Sequence, residues 1–272
     1  MTRGRPKGSR NKGSYRRAHK GGRVPPLTAI ITLTAPHHRD YLGPCLESLL
    51  AQGKVHDFVV TTAFDGDVVP AVNWANARAV SLAIVKLQHS AFAKPFADLC
   101  EHPTLQAHRH LVGWQAGLHL LPGGAKFVGV QPDTWVLRPV EGGFQEATPP
   151  YFHLGLPRRL VRGMFHYETR VVLGQASAPV VAAFDTWLRA LWRLADQAKT
   201  LAERYGSLPS AAWHQLVSHV EEAGGLVLGH LPDGWYGLRE TSTTTLLGLD
   251  GIPTRPDWGE AQRRAGLSTA GL

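Results

Sequence analysis

From Thr28 to Val130 the chain alternates short β-branched runs with stretches of helical period, and that pattern leaves few architectures open. Thr28 to Thr34 reads as a first buried strand. Tyr41 to Gln52 follows as a helix with Leu42, Cys45, Leu46, Leu49 and Leu50 on one face, and Asp40 near its start suits the positive end of the helix dipole. His56 to Phe64 is the second strand, ending in the turn Asp65-Gly66-Asp67. A helix through Ala71 to Arg78 leads to a third strand, Leu82 to Leu87. The longer helix Thr104 to Leu120 presents Leu105, Val112 and Ala116 on one side and is stopped by Gly123-Gly124. Lys126 to Val130 is a fourth strand, delivering Gln131-Pro132-Asp133. The expectation is an α/β fold, a mostly parallel sheet flanked by helices on both faces.

Ligands of such sheets bind beyond the carboxyl ends of the strands, where both acidic turns fall. The Gly-rich dinucleotide and P-loop fingerprints are absent, which removes support for a nicotinamide enzyme or an ATPase. The later half is less regular. Pro139 to Pro157 reads as loops and short strands, Ala182 to Tyr205 as one amphipathic helix, Ser210 to Ala223 as another, and Leu226 to Leu228 as a strand. The segment from Gly251 onward has no sustained period.

Charge is distributed unevenly. Of 29 Lys and Arg, nine lie within residues 1 to 23, where there is no acid; the other 249 residues hold 20 basic against 21 acidic groups. A polyanionic partner is implied for the tail and not for the body. Residues 3 to 8 read Arg-Gly-Arg-Pro-Lys-Gly. Gly4 lets the backbone sink into a groove about 6 Å wide while Arg3 and Arg5 lie along the base edges. Pro6 turns the chain outward, and Lys7, Arg10 and Lys12 meet phosphates. This stretch resembles the AT-hook, and the resemblance implies a disordered tail in the A·T-rich minor groove of duplex DNA. A generic basic end is the plainer alternative.

Cys45 and Cys100 form no disulfide framework or metal pattern. No secretory core and no apolar stretch of membrane-spanning length is present, so a cytoplasmic protein with no membrane partner is expected. The expected organisation is a tail and linker over 1–26, one domain over 27–250 and a peripheral segment over 251–272.

Three blocks resemble a nucleotide-sugar-dependent glycosyltransferase of the GT-A fold, most similar to the large inverting family two. The first runs from Ile30-Ile31-Thr32 through Arg39, Tyr41-Leu42, Cys45-Leu46, Ser48-Leu49-Leu50 and Gln52 to Phe58-Val59-Val60 and Asp65-Gly66. The second is Arg109-His110, Gly117-Leu118, Gly124, Phe127 and Gln131-Pro132-Asp133, where His110 stands in place of an Asn and Gln131 in place of the first acid of an Asp-x-Asp motif. The third, Trp213-His214-Gln215-Leu216 through Gly224 and Val227, resembles the helix that in the family starts with Glu-Asp and carries the catalytic base. Neither acid is present here.

The resemblance implies that Asp65, with Asp67 beside it, recognises the donor's nucleoside and that Arg109 compensates donor charge. Asp133 would hold Mg²⁺ or Mn²⁺, with His230 as a nitrogen ligand. His214 takes the position of the base, with an imidazole suited to proton transfer at neutral pH. Each has a plain structural reading too: turn formers for the aspartates, a solvated Arg109, structural histidines.

Joined to the tail, the resemblance implies sugar transfer to a 5-hydroxymethylpyrimidine in duplex DNA, as in phage DNA modification, with Phe144, Tyr151, Phe152, Phe165 or Tyr167 available to stack on a flipped base. The alternatives are a noncatalytic DNA-binding protein with a degenerate transferase domain, and a glycan or protein glycosyltransferase with an incidental tail.

Overall fold

The computed structural model describes residues 26–36, 38–64, 68–237 and 244–248. The basic tail, the Asp65–Asp67 turn and the segment 251–272 lie outside the described residues.

The first half follows the expected alternation. Strand β1 (Thr28–Leu33) leads to α1 (His38–Ala51), β2 (Asp57–Thr62), α2 (Val69–Arg78) and β3 (Ser81–Lys86). A helix with no counterpart in the sequence reading, α3 (Ala93–Glu101), follows. The expected helix from Thr104 is shorter: a 3-10 turn at Gln106–His108 precedes α4 (His110–Leu118). Then comes β4 (Lys126–Val130), followed by β5 (Thr134–Val136) and α5 (Gly142–Glu146).

Three strands that period alone did not reveal come next: β6 (Leu154–Val161), β7 (Met164–Tyr167) and β8 (Val171–Gln175). The expected helix Ala182–Tyr205 is two, α6 (Ala178–Leu194) and α7 (Ala198–Tyr205), parted by a 3-10 turn. Both helices pack against α8 (Leu208–Ala223). Gly206 in the left-handed region ends α7, and the Ser207 hydroxyl caps α8 by accepting from the Ser210 amide at 3.2 Å. Strand β9 (Leu228–Leu231) starts two residues later than expected, because its register is set by pairing with β6, Leu154 facing Leu228. Short strands β10 (Tyr236–Gly237) and β11 (Leu246–Gly248) complete the order.

The main sheet runs β3-β2-β1-β4-β8-β6-β7, with β9 also paired to β6. It is mixed. Strands β3, β2, β1 and β4 are parallel, whereas β8 pairs antiparallel with both β4 and β6, and β6 pairs antiparallel with β7, so β6 runs with the parallel set and β8 and β7 run against it. Both faces are buried, and side chains alternate between two cores as the pleat demands. Ile30, Val59, Phe127 and Val172 enter the core under α4, α6 and α8. Their neighbours Ile31, Val60, Val128 and Leu173 enter the core under α1 and α2.

Helix α4 lies unusually close to the sheet, because two of its contact positions are glycines. A Cβ at Gly113 would overlap the Thr32 side chain, and one at Gly117 would overlap Ile30. Beneath Gly113, the Thr61 hydroxyl donates to Thr32 Oγ1 at 2.8 Å, which satisfies both buried groups. Among the described residues no helix is long and apolar enough to cross a membrane.

Candidate functional site

At the carboxyl edge of β4 a cleft of about 840 Å³ opens between the parallel and antiparallel halves of the sheet. Topology explains its place. Val130 at the end of β4 faces Val171 at the start of β8, and Pro157 of β6 faces Leu231 at the end of β9. The turns after β4 and β9 and the turn before β8 therefore rise around one opening, where ligands of open α/β sheets bind.

The cleft floor carries histidines from the start of α4. His110 is buried and its Nε2 lies 3.0 Å from the Thr169 carbonyl. Burial lowers its pKa to about 3, with His108 adding to the shift, so the ring is neutral and Nε2–H donates to that carbonyl. Burial likewise lowers His108 to about 4.

Arg170 stands at the junction of β7 and β8. Its Nε donates to Glu168 Oε1 at 3.1 Å, and its guanidinium lies over the Tyr236 ring, 5.2 Å from the centroid. Burial opposes the charge on Arg170, but Tyr236, Glu168 and Asp133 outweigh it and hold the group protonated. Burial also pushes the Tyr236 phenol up, against the pull of Arg170. On the opposite wall Arg158 lies over the Phe165 ring at 4.3 Å and hydrogen bonds with the Tyr167 side chain. Arg158 and Arg159 make no ion pair among the described residues and put two positive charges on this wall.

The structure brings together only some of the residues expected from sequence. Asp133 follows β4 as anticipated, half-buried in the turn before β5. Its charge acts on Arg170, Tyr236 and the buried Cys45 thiol, whose pKa is pushed up by burial and then by Asp133. Arg109 sits between two histidines of the cleft floor, yet its side chain is not part of the lining.

His230 is elsewhere, in β9, with its ring 5.8 Å from that of Tyr167. Burial lowers its pKa to about 4, helped by Arg158 and His214. His214 lies one layer behind the cleft wall, packed between Tyr167 at 5.0 Å and Tyr205 at 4.8 Å, with Nε2 2.7 Å from the Phe165 carbonyl. The position expected for the base thus supports the wall, while Tyr167 and Tyr205 face the cleft. Asp65 and Asp67 lie outside the described residues, as do Arg3, Gly4, Arg5, Pro6, Lys7, Arg10 and Lys12.

The donor set does not fit the expected Mg²⁺ or Mn²⁺. Hard cations want several oxygen ligands, and no group of three His, Cys, Asp or Glu side chains that could hold an ion occurs among the described residues. Asp133 instead neighbours the fixed cation Arg170, and His230 neighbours Arg158, arrangements that repel a further positive charge. Of the aromatics considered for base stacking, Phe144 and Phe152 are stacked in the core 5.5 Å apart, and Tyr167 is buried; Tyr151 and Phe165 are exposed.

The sequence reading missed Arg158, Arg159, Glu168, Arg170 and Tyr236. The one available signal was Arg162-Gly163, a turn dipeptide between two β-rich runs that would have placed β6 and β7.

No family profile and no curated protein sequence matches the chain. Among solved structures, mouse xyloside xylosyltransferase 1 superposes with a TM-score of 0.51 at 12% identity, over 85% of this chain and 99% of that one. The fold is of the GT-A type. Looser similarities are to galactosyltransferase LgtC in complex with donor and acceptor sugar analogs, with a TM-score of 0.46, 14% identity and coverage of 90% and 97%. Another is to 4-diphosphocytidyl-2C-methyl-D-erythritol synthase from Anaerococcus prevotii, with a TM-score of 0.46, 10% identity and coverage of 82% and 94%. In the GT-A arrangement of this chain, the cleft stands at the edge where the parallel strands end.

Proposed function

We propose that the chain is a glycosyltransferase that moves a sugar from a nucleotide-sugar donor to a hydroxyl of a 5-hydroxymethylpyrimidine in duplex DNA. The observation that carries the transferase reading is the cleft at the carboxyl edge of β4, with two arginines on its wall that pair with no acid among the described residues. A diphosphate needs such charge, above all as it leaves with the electron pair of the broken bond. Arg158, oriented by Phe165 and Tyr167, supplies it without a metal ion.

In the reaction the bond between the anomeric carbon and the diphosphate oxygen breaks, and the acceptor oxygen bonds to that carbon. The acceptor's proton must go to a base. Glu168 is committed to Arg170, whereas Asp233 lines the cleft, is exposed and makes no hydrogen bond or ion pair among the described residues. Asp233 therefore replaces His214 as the proposed acceptor of that proton.

The DNA acceptor is supported by the sequence of the tail. An arm that holds duplex DNA raises its local concentration at the cleft. The test is to incubate the protein and a panel of nucleotide sugars with duplexes containing cytosine, 5-hydroxymethylcytosine or 5-hydroxymethyluracil, then weigh the nucleosides after digestion. A gain of one sugar on a hydroxymethylated nucleoside alone is expected. Transfer to a glycan or peptide acceptor with none to DNA would replace the DNA reading, and no transfer despite donor and DNA binding would favour a noncatalytic DNA-binding protein.

A further inference from the structure

Strands β6 and β7 form a tight hairpin at the end of the sheet. Its two-residue turn has Arg162 at φ 49° and Gly163 at φ 79°, between the paired residues Val161 and Met164. Two successive positive φ values are the twist-matched turn for a two-residue hairpin, so the tip is stiff. Directly paired residues share a face. Arg158, Leu160, Phe165 and Tyr167 occupy one face; Arg159, Val161, Met164 and His166 occupy the other.

The root of the hairpin is anchored on both sides. Tyr167 packs on Trp213 and His214, and His166 Nε2 lies 3.1 Å from the Arg204 carbonyl. The tip is not covered. Leu160 is 63% exposed and Phe165, paired with it across the strands, is 39% exposed. Residues 158 to 165 hold three arginines and no acid. Arg158, Arg159 and His166 also line the cleft, so whatever docks along the hairpin continues into the opening.

We infer that this hairpin docks the nucleic-acid acceptor by entering the major groove of duplex DNA, Arg159 and Arg162 on phosphates and Leu160 with Phe165 against base edges. The inference rests on the DNA-acceptor reading above and gives it a surface. A two-stranded ribbon fits the major groove, about 12 Å wide, and thymine methyls there offer apolar contact to side chains such as Phe. The tail sequence points to the minor groove, so the two elements do not compete for one site. The charge supports this occupant: an apolar pair ringed by guanidinium groups without acids matches a surface of phosphates around base edges.

The test uses the full chain and a short A·T-rich duplex saturated with netropsin, which fills the minor groove and removes the tail's site. Binding is followed by fluorescence anisotropy as a function of salt. Wild type should retain salt-dependent binding, and Arg159→Ala with Arg162→Ala should lower the slope of log affinity against log salt by about 2. Phe165→Ala should weaken binding with the slope unchanged. The matched pair Arg189→Ala and Arg193→Ala, exposed on α6, should leave the slope as in wild type.

An unchanged slope in R159A/R162A, or an equal fall in the α6 control, would overturn the hairpin assignment. Sugar transfer assayed on the same samples separates the two readings. Transfer to DNA that is unaltered in R159A/R162A counts against the hairpin alone. Hairpin-dependent binding with no transfer in wild type supports the hairpin and counts against the transferase.

Discussion

Arg170 stacks on Tyr236 across the cleft floor, its guanidinium carbon 5.2 Å from the ring centroid, while Glu168 holds the same side chain by its Nε. The contact joins the turn before β8 to β10, and these belong to different sheets. A planar cation is needed for both stacking and the forked bond to the carboxylate. Arg170→Lys should therefore restore little of what Arg170→Ala loses, about 1–3 kcal/mol once Glu168 has lost its partner. Urea unfolding of both variants measures this, and full recovery by lysine would show that charge alone matters.

Donor binding should not require a metal ion. Titration calorimetry with nucleoside diphosphates should give the same affinity in EDTA as in Mn²⁺, and Asp133→Asn should leave that equality in place. Arg158→Ala should weaken binding roughly tenfold or more, the worth of a hydrogen bond to a charged group. A strong Mn²⁺ dependence that vanishes in Asp133→Asn would restore the metal expected from sequence.

Deleting residues 1–23 should weaken duplex binding and flatten its salt dependence, because nine cations leave with the tail. Arg5→Ala should also reduce preference for A·T over G·C tracts, whereas Lys12→Ala should weaken both alike. Anisotropy on paired duplexes distinguishes the two; an equal loss of preference would contradict the division between groove and phosphate contacts.

Gly113→Ala should destabilise by about 1–3 kcal/mol, the usual cost of overpacking, since its Cβ would meet Thr61 Oγ1 at 2.7 Å as well as the Thr32 side chain. Chemical denaturation measures this cost.

Stability should fall between pH 6.5 and 4 through buried histidines. The folded pKa of His110 is about 3 and an unfolded imidazole sits near 6.5, so in this window the unfolded chain binds the proton and the folded one does not. Stability is complete above the unfolded value and is lost as pH falls toward the folded one; His108 and His230, at about 4, add the same sign. His110→Asn should flatten the curve of melting temperature against pH. A slope identical to wild type would show that this imidazole is not neutral and buried in solution.

Local pattern was enough for the parallel half of the sheet. Ile30, Ile31, Phe58, Val59 and Val60 form runs apolar on both faces, because each face of β1 and β2 meets a core, and such runs between amphipathic stretches have few other readings. The place of Asp133 after β4 was legible for the same reason. The antiparallel half was not. Strand β6 changes along its length from buried Leu154 and Leu156 to half-buried Arg158 and exposed Leu160, so no single period describes it. Only the pairing of β8 with β4 and of β9 with β6 brings Arg158, Arg170 and Tyr236 to one opening. Those pairings also set His214 behind the wall instead of in it. Sequence period records which face of an element is buried, a local property; which charges meet across a cleft depends on contacts between residues far apart in the chain, and these the folded sheet alone decides.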